Sequence, residues 1–133
     1  MRKIGEDALF HIFRQGQNKK EDVWEPKVDI FETCTTLVIR VALAGVEKDK
    51  ISISFSDDFS NLILKGERKE PSFANPIKYH RLEIYYGSFE KSIPIPCEIF
   101  IEPNSAHADF SKGILTVELT KKERIPTEIR ISD

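Results

Sequence analysis

The chain has 133 residues, of which 40% are hydrophobic and 32% are charged. This is enough for one folded domain and too short for two of ordinary size. Its 20 Lys and Arg residues are offset by 22 Asp and Glu residues, so the formal net charge is only -2. That balance argues against a dedicated nucleic-acid binder, which relies on a strongly basic surface.

Residues 1–23 are predicted to form an N-terminal arm that is partly helical or flexible. Its apolar run, residues 8–13, places Leu9, Ile12 and Phe13 at helical spacing behind Asp7. The run is shorter than a signal-peptide core or a membrane span. The arm therefore predicts a cytoplasmic protein without stable membrane association.

After Trp24 the hydrophobic pattern has a period of two, which is typical of strands with one buried face. Turn-forming residues at 57–61 and 111–113 separate neighbouring runs and indicate two hairpins. Runs of this kind begin near positions 28, 37, 51, 62, 89, 106 and 114. Seven short strands with almost no helix predict an all-β antiparallel sandwich or barrel.

The stretch at 67–87 is longer than an ordinary connection in a sandwich. Residues 71–76 are predicted to be loop, whereas the aromatic-rich residues 77–86 are compatible with an extra strand. A strand that projects from a loop needs a partner edge.

No catalytic, metal-binding or cofactor-binding motif is present in the sequence. The three histidines are scattered, and no glycine-rich phosphate loop or nucleophile elbow occurs. Asp57 and Asp58 fall in a predicted turn, which explains them without a catalytic pair. Cys34 and Cys97 are predicted to be free, mostly buried thiols. We therefore expect no enzyme activity and no cofactor.

Several motifs, in order over about 110 residues, resemble the α-crystallin domain of the small heat-shock proteins. The most specific is ADFSKGILTV at 108–117, which is similar to the A-x-x-x-n-G-V-L signature of that family. Ala44 departs from the usual L-P-G motif. The other motifs are WEPKVDIFE at 24–32, VALAGV at 41–46, ISI at 51–53, LILKGERK at 62–69, YHRLE at 79–83 and YGSFEKSIPIP at 86–96.

The resemblance implies an immunoglobulin-like antiparallel β-sandwich at residues 24–122, with a long loop at 67–87 and a C-terminal extension at 123–133. It also implies a stress-response chaperone of the ATP-independent holdase type, which binds non-native client proteins and forms homodimers and higher oligomers. An alternative is a monomeric interaction module of the CS-domain co-chaperone type, dedicated to one folded partner. Carbohydrate binding has little support, because Trp24 is the only tryptophan.

Bacterial and plant-type members of the family dimerise by lending a strand from a long loop to the partner's sheet. By this resemblance, residues 77–86 are the exchanged strand. The alternative is an excursion packed on its own domain. The residues assigned to the exchange are Ile77, Tyr79, Arg81, Glu83 and Tyr85.

Ile129 and Ile131 resemble the family's C-terminal I-x-I motif. In an extended tail both side chains project to one side, so both can enter a groove. The alternative is a last strand in the chain's own sheet. The resemblance places the groove between two edge strands and lines it with Ile51, Ile53, Phe55, Ala106, Ala108 and Phe110.

The apolar residues of the arm are the predicted client contacts, because adaptable apolar surface binds non-native chains without sequence preference. A structural role inside the oligomer is the alternative, and membrane-surface binding is at most marginal. These residues are Leu9, Phe10, Ile12 and Phe13.

Overall fold

A computed structural model describes residues 23–73, 75–122 and 129–132. The described residues form seven strands and two short 3-10 turns, Lys48–Lys50 and Pro103–Ser105. The strands are β1 Val28–Glu32, β2 Thr36–Ala42, β3 Ile51–Phe55, β4 Asn61–Arg68, β5 Gly87–Pro94, β6 His107–Ser111 and β7 Ile114–Thr120. Each predicted alternating run is a strand, and the all-β prediction is confirmed.

The strands form two antiparallel sheets. One has four strands in the order β1-β2-β7-β6, and the other has three in the order β3-β4-β5. The predicted hairpins are both present, as β3–β4 and β6–β7. The boundaries proposed for the arm, the domain and the extension stay predictions.

The core lies between the two sheets, because alternate residues of each strand point inward. In the four-stranded sheet Ile39 lies opposite Val117, and both are buried. Phe89 and Ile93 of β5 close the core from the other sheet and are each 1% exposed. Burying a side chain of this size contributes about 1.5–3 kcal/mol, so this layer is the main source of stability.

Strand β1 is only partly covered by the second sheet. Ile30 lies directly opposite Ile39 and faces the same side, yet Ile30 is 40% exposed whereas Ile39 is fully buried. Three strands cannot cover four, so the outermost strand of the larger sheet overhangs. Phe31, on the other face of β1, is also 40% exposed. The edge at β1 therefore carries accessible apolar side chains on both faces.

Asp58 lies in the turn between β3 and β4, as predicted, and its carboxylate holds that turn. Asp58 Oδ1 accepts hydrogen bonds from the Ser60 backbone N–H at 3.1 Å and from the hydroxyls of Ser60 at 2.6 Å and Ser56 at 2.8 Å. The hydrogen bonds from Ser60, and then that from Ser56, lower the pKa of Asp58 from 3.8 to about 2, since they favour the charged form.

Replacing Gly66 with Ala is expected to destabilise the sandwich strongly. An added Cβ at this β4 position overlaps the Phe89 ring and the Lys50 carbonyl oxygen, neither of which can move without disturbing the core. Overpacking of this kind costs about 1–3 kcal/mol or more. Urea unfolding measures the loss, and Lys65→Ala, at the exposed neighbouring position, is the control. Equal stability of the two variants would contradict the prediction.

Asp58→Asn is expected to remove a pH-dependent part of the stability. Because the folded pKa lies below the unfolded value, this part is present above about pH 4 and is lost as the pH falls toward 2. The difference in Tm between wild type and variant should therefore shrink between about pH 5 and pH 2. Asp57→Asn is the control, since none of these hydrogen bonds involves Asp57. A Tm difference that stays constant with pH would contradict the predicted contribution of the Asp58 carboxylate to stability.

Candidate functional site

A groove of about 360 Å³ runs between the edge strands β3 and β6. Leu62 and Val117 form its floor and are 3% and 2% exposed. Ser54 and His107 also line it, and they are exposed. Its walls include five of the six residues predicted for it, namely Ile51, Ile53, Phe55, Ala106 and Ala108.

The sixth predicted groove residue, Phe110, does not border this groove. It is half-buried and packs against the core instead. A residue that the sequence did not single out lies beside the groove wall: the Phe59 ring is 5.4 Å from the Phe55 ring and is 49% exposed. Phe59 has a φ of 58°, a left-handed conformation that a bulky side chain rarely adopts. Hydrophobic pattern alone does not reveal such a turn position.

The tail isoleucines are not part of any sheet in the described residues. Ile129 is 85% exposed and Ile131 is 90% exposed. Residues 129–132 contain no strand, so the alternative of a last strand in the chain's own sheet is not observed for them. Two fully accessible isoleucines with one residue between them are compatible with insertion into a groove.

The long loop contains no strand between the end of β4 and the start of β5, residue 74 lying outside the description. Residues 77–86 therefore do not form a strand within one chain, since a single extended segment without a partner edge has no ladder to join. Ile77 and Ile84 are 88% and 58% exposed, and Tyr79 is 38% exposed. Arg81 and Glu83 form an exposed ion pair at 3.2 Å.

The end of the loop near β5 does pack on its own domain. The ring of Tyr85 stacks on the ring of Trp24, with centroids 6.3 Å apart, and the Trp24 indole N–H donates to the Gly87 carbonyl oxygen at 3.1 Å. The alternative of a packed excursion thus holds for the loop's base and not for its exposed middle.

The free edge of β5 is partly covered by the chain that precedes β1. The Trp24 backbone N–H donates to the Ser88 carbonyl oxygen, and the Glu90 N–H donates to the Trp24 carbonyl oxygen, both at 3.1 Å. Of the four outer strands, β3 and β6 border the groove and β5 carries this bridge. The edge of β1 is therefore the remaining sheet edge of the described sandwich.

Both cysteines are free, as predicted, but the expectation that they are mostly buried is wrong. Cys34 and Cys97 are exposed, because neither lies on a strand face that the opposite sheet covers. Cys97 Sγ lies 3.6 Å from a Glu98 carboxylate oxygen.

Other predicted features fall outside the site. The arm residues Leu9, Phe10, Ile12 and Phe13 lie outside the described residues. Within the described ranges, no group of three or more His, Cys, Asp or Glu side chains is placed to hold a metal ion. The same part of the chain has no helix long and apolar enough to cross a membrane.

Comparisons with known proteins identify one family. Residues 29–132 match the model of the Hsp20/alpha crystallin family. Small heat shock protein C2 of Rickettsia felis is 35% identical over 99 residues, which are 74% of this chain and 62% of that protein. The chain thus spans about three fifths of the length of that relative. Salt stress-responsive protein YocM of Bacillus subtilis is 32% identical over 124 residues, 93% of this chain and 74% of that protein.

The fold has solved counterparts in the same family. The crystal structure of a small heat-shock protein from Xylella fastidiosa, described as revealing a distinct high order structure, superposes with a TM-score of 0.65 and 28% identity. It covers 83% of this chain and 98% of the other. The described sandwich and the extent of the family match agree, and the chain belongs to the Hsp20/alpha crystallin family of small heat-shock proteins.

Proposed function

We propose that this chain is an ATP-independent holdase that binds partly unfolded proteins and prevents their aggregation, and that it assembles from strand-exchanged dimers. Family membership supports a chaperone role in stress. One observation supports the proposed assembly most directly. The same chain has two exposed apolar segments and also sheet edges that could receive them. The family comprises chaperones and not enzymes, so no catalytic activity is proposed.

The exchanged strand, residues 77–86, is proposed to add to the β1 edge of a second copy. An added strand satisfies its backbone groups on the edge it joins, while side chains pack on both faces. Ile30 and Phe31 offer accessible apolar surface on the two faces of β1, and Ile77 and Ile84 offer it on the loop. The same contact would therefore bury exposed apolar side chains of both copies.

The charges along the two segments also support this pairing. The loop carries Lys78 and also Arg81, which is paired with Glu83. Strand β1 carries Asp29 and also Glu32, which is paired with Lys121. Opposite charges favour encounter and orientation more than they add affinity.

The tail isoleucines are proposed to enter the β3–β6 groove of another copy and so link dimers into larger assemblies. Burying two isoleucine side chains contributes about 3–6 kcal/mol before the entropy of association is subtracted. A single latch is therefore weak and reversible. Several latches in one assembly act together through their high effective concentration.

Clients are proposed to bind the apolar residues of the arm, inside the cytoplasm. Both the location and the client contacts rest on the sequence and on the family.

Holdase activity is tested by light scattering of a heat-labile client protein without ATP. Scattering is expected to fall at a near-stoichiometric ratio, because bound client cannot self-associate. Changing the apolar arm residues to Ser should weaken the suppression; these are Leu9, Phe10, Ile12 and Phe13. The matched control changes arm residues that are already polar, namely Gln15, Gln17 and Asn18. Absence of suppression by the wild-type chain would sink the holdase proposal.

Replacing Ile129 and Ile131 with Gly is expected to reduce any larger assembly to dimers, since the latch loses its apolar contacts. Light scattering coupled to gel filtration measures the mass, and circular dichroism checks the fold. Arg130→Gly is the control within the same tail. An unchanged size distribution would show that the tail is not a latch, and a wild-type monomer at micromolar concentration would favour the CS-domain type of module.

A further inference from the structure

One side chain joins the two ends of the long loop. Arg68 is the last residue of β4, where the loop begins, and Tyr85 lies just before β5, where the loop returns. Arg68 Nε donates to the Tyr85 carbonyl oxygen at 2.8 Å. The β4–β5 ladder already pairs Arg68 with Gly87, and this side-chain hydrogen bond extends the closure of the loop's base to Tyr85.

The same guanidinium is attached to two other parts of the sandwich. It lies over the Trp24 ring, 4.1 Å from the centroid, and a terminal nitrogen donates to the Ala44 carbonyl oxygen at 3.1 Å. Tyr86 is a further ring neighbour at 5.9 Å. Partial burial lowers the pKa of Arg68 from its ordinary value, but a guanidinium stays charged at any pH the protein meets.

Trp24, on which Arg68 rests, is buried and held by its own contacts. Trp24 is 6% exposed, packs on Phe89 with ring centroids 5.3 Å apart, and bonds Gly87 through its indole N–H. A planar guanidinium can stack on a ring while donating to two carbonyl oxygens in different directions, which the ammonium group of lysine cannot do. The loop's base is therefore tied to the core, whereas the side chain of Ile77 stays 88% exposed.

We propose that Arg68 is the positioning residue of the exchange loop: by fixing both ends of the loop on its own sandwich, it directs the apolar middle outward to a second copy of this chain. The inference rests on the proposed strand exchange. The β4–β5 ladder holds the loop only as far as Gly87. Without the Arg68 contacts, the apolar residues before Gly87 can collapse onto their own sheets, and they lose more conformational entropy when they bind. Fixing the ends in advance lowers that cost, which is the general effect of preorganisation.

The test compares Arg68→Ala with Lys65→Ala in the full chain. Lys65 is an exposed cation on the same strand, 3.8 Å from Glu90, and it is not among the contacts that tie the loop's base. Arg68→Ala should weaken the dimer about tenfold or more by sedimentation, the scale of losing one well-placed interaction, whereas Lys65→Ala should not. Arg68→Lys keeps the positive charge but loses the planar guanidinium with its separate N–H donors, so it should restore only part of the affinity.

Two further measurements separate positioning from folding. Thermal unfolding should remain cooperative in Arg68→Ala, because the buried core is intact, and Arg68→Lys serves if the Ala variant does not fold. Deuterium uptake of residues 82–88 should rise in Arg68→Ala and not in Lys65→Ala. The Trp24 emission should also shift to longer wavelength, and Trp24 is the only tryptophan.

The outcomes distinguish the two proposals. A variant at Arg68 that dimerises as tightly as the wild type, or whose uptake at 82–88 is unchanged, overturns the positioning role and leaves strand exchange standing. A wild-type chain that is monomeric, or that dimerises equally well with residues 70–84 replaced by a short linker, overturns strand exchange and the positioning role with it.

Discussion

The requirement that strand edges be paired or covered governs the whole molecule. Two small open sheets leave four edges, at β1, β6, β3 and β5. Each edge exposes backbone N–H and C=O groups that would otherwise recruit strands from other chains without control. Within the chain, backbone hydrogen bonds of Trp24 cover part of the β5 edge. The remaining edges lie at the groove between β3 and β6 and along β1.

The two exposed apolar segments, the loop and the tail, match these open edges in kind. The described part of the loop contains bends and no strand, so its backbone joins no ladder, and the side chains of Ile129 and Ile131 in the tail are exposed. An open edge needs backbone partners, which a strand supplies, whereas an apolar groove needs side chains, which the two isoleucines supply. This correspondence supports the proposals that the loop adds to β1 and that the tail enters the groove. Charged residues such as Lys78 and Arg81 lie among the exposed apolar residues of the loop. These charges limit the loss of solubility that an exposed apolar segment would otherwise cause.

The strands were predictable from sequence because burial of one face imposes a period of two. Ile51, Ile53 and Phe55 illustrate this: their spacing placed them on one face, and the structure places all three in the groove wall. The floor at Leu62 and Val117 was not assigned to the groove, since it requires knowing that β4 and β7 lie behind the two edges. Phe110 has the correct parity but lies too far along β6, a distinction that parity cannot make.

Local pattern is insufficient where the outcome depends on contacts between distant segments. Residues 77–86 are rich in aromatic residues that favour strands, but they pair with no edge of their own chain, and the edge proposed for them belongs to a second copy. Cys34 and Cys97 were expected inside on the basis of residue type, whereas their position in connections decides their exposure. Arg68 appeared in the sequence only as one letter of the LILKGERK motif. Its role depends on Trp24 and Tyr85, which are 44 and 17 positions away by residue number, a relation that no window of sequence displays.

Trp24 has two roles: it covers a sheet edge, and it holds the base of the loop. Its backbone covers the β5 edge, its ring carries the Arg68 guanidinium, and its indole N–H holds Gly87. Residues that share a network of this kind do not contribute independently, so loosening the bridge at β5 also loosens the base of the loop. The arm of residues 1–23 leads directly into this residue. The client contacts proposed for the arm and the dimer contact proposed for the loop therefore adjoin the same residue, so Trp24 is the position where a variant would test whether the two proposals are linked.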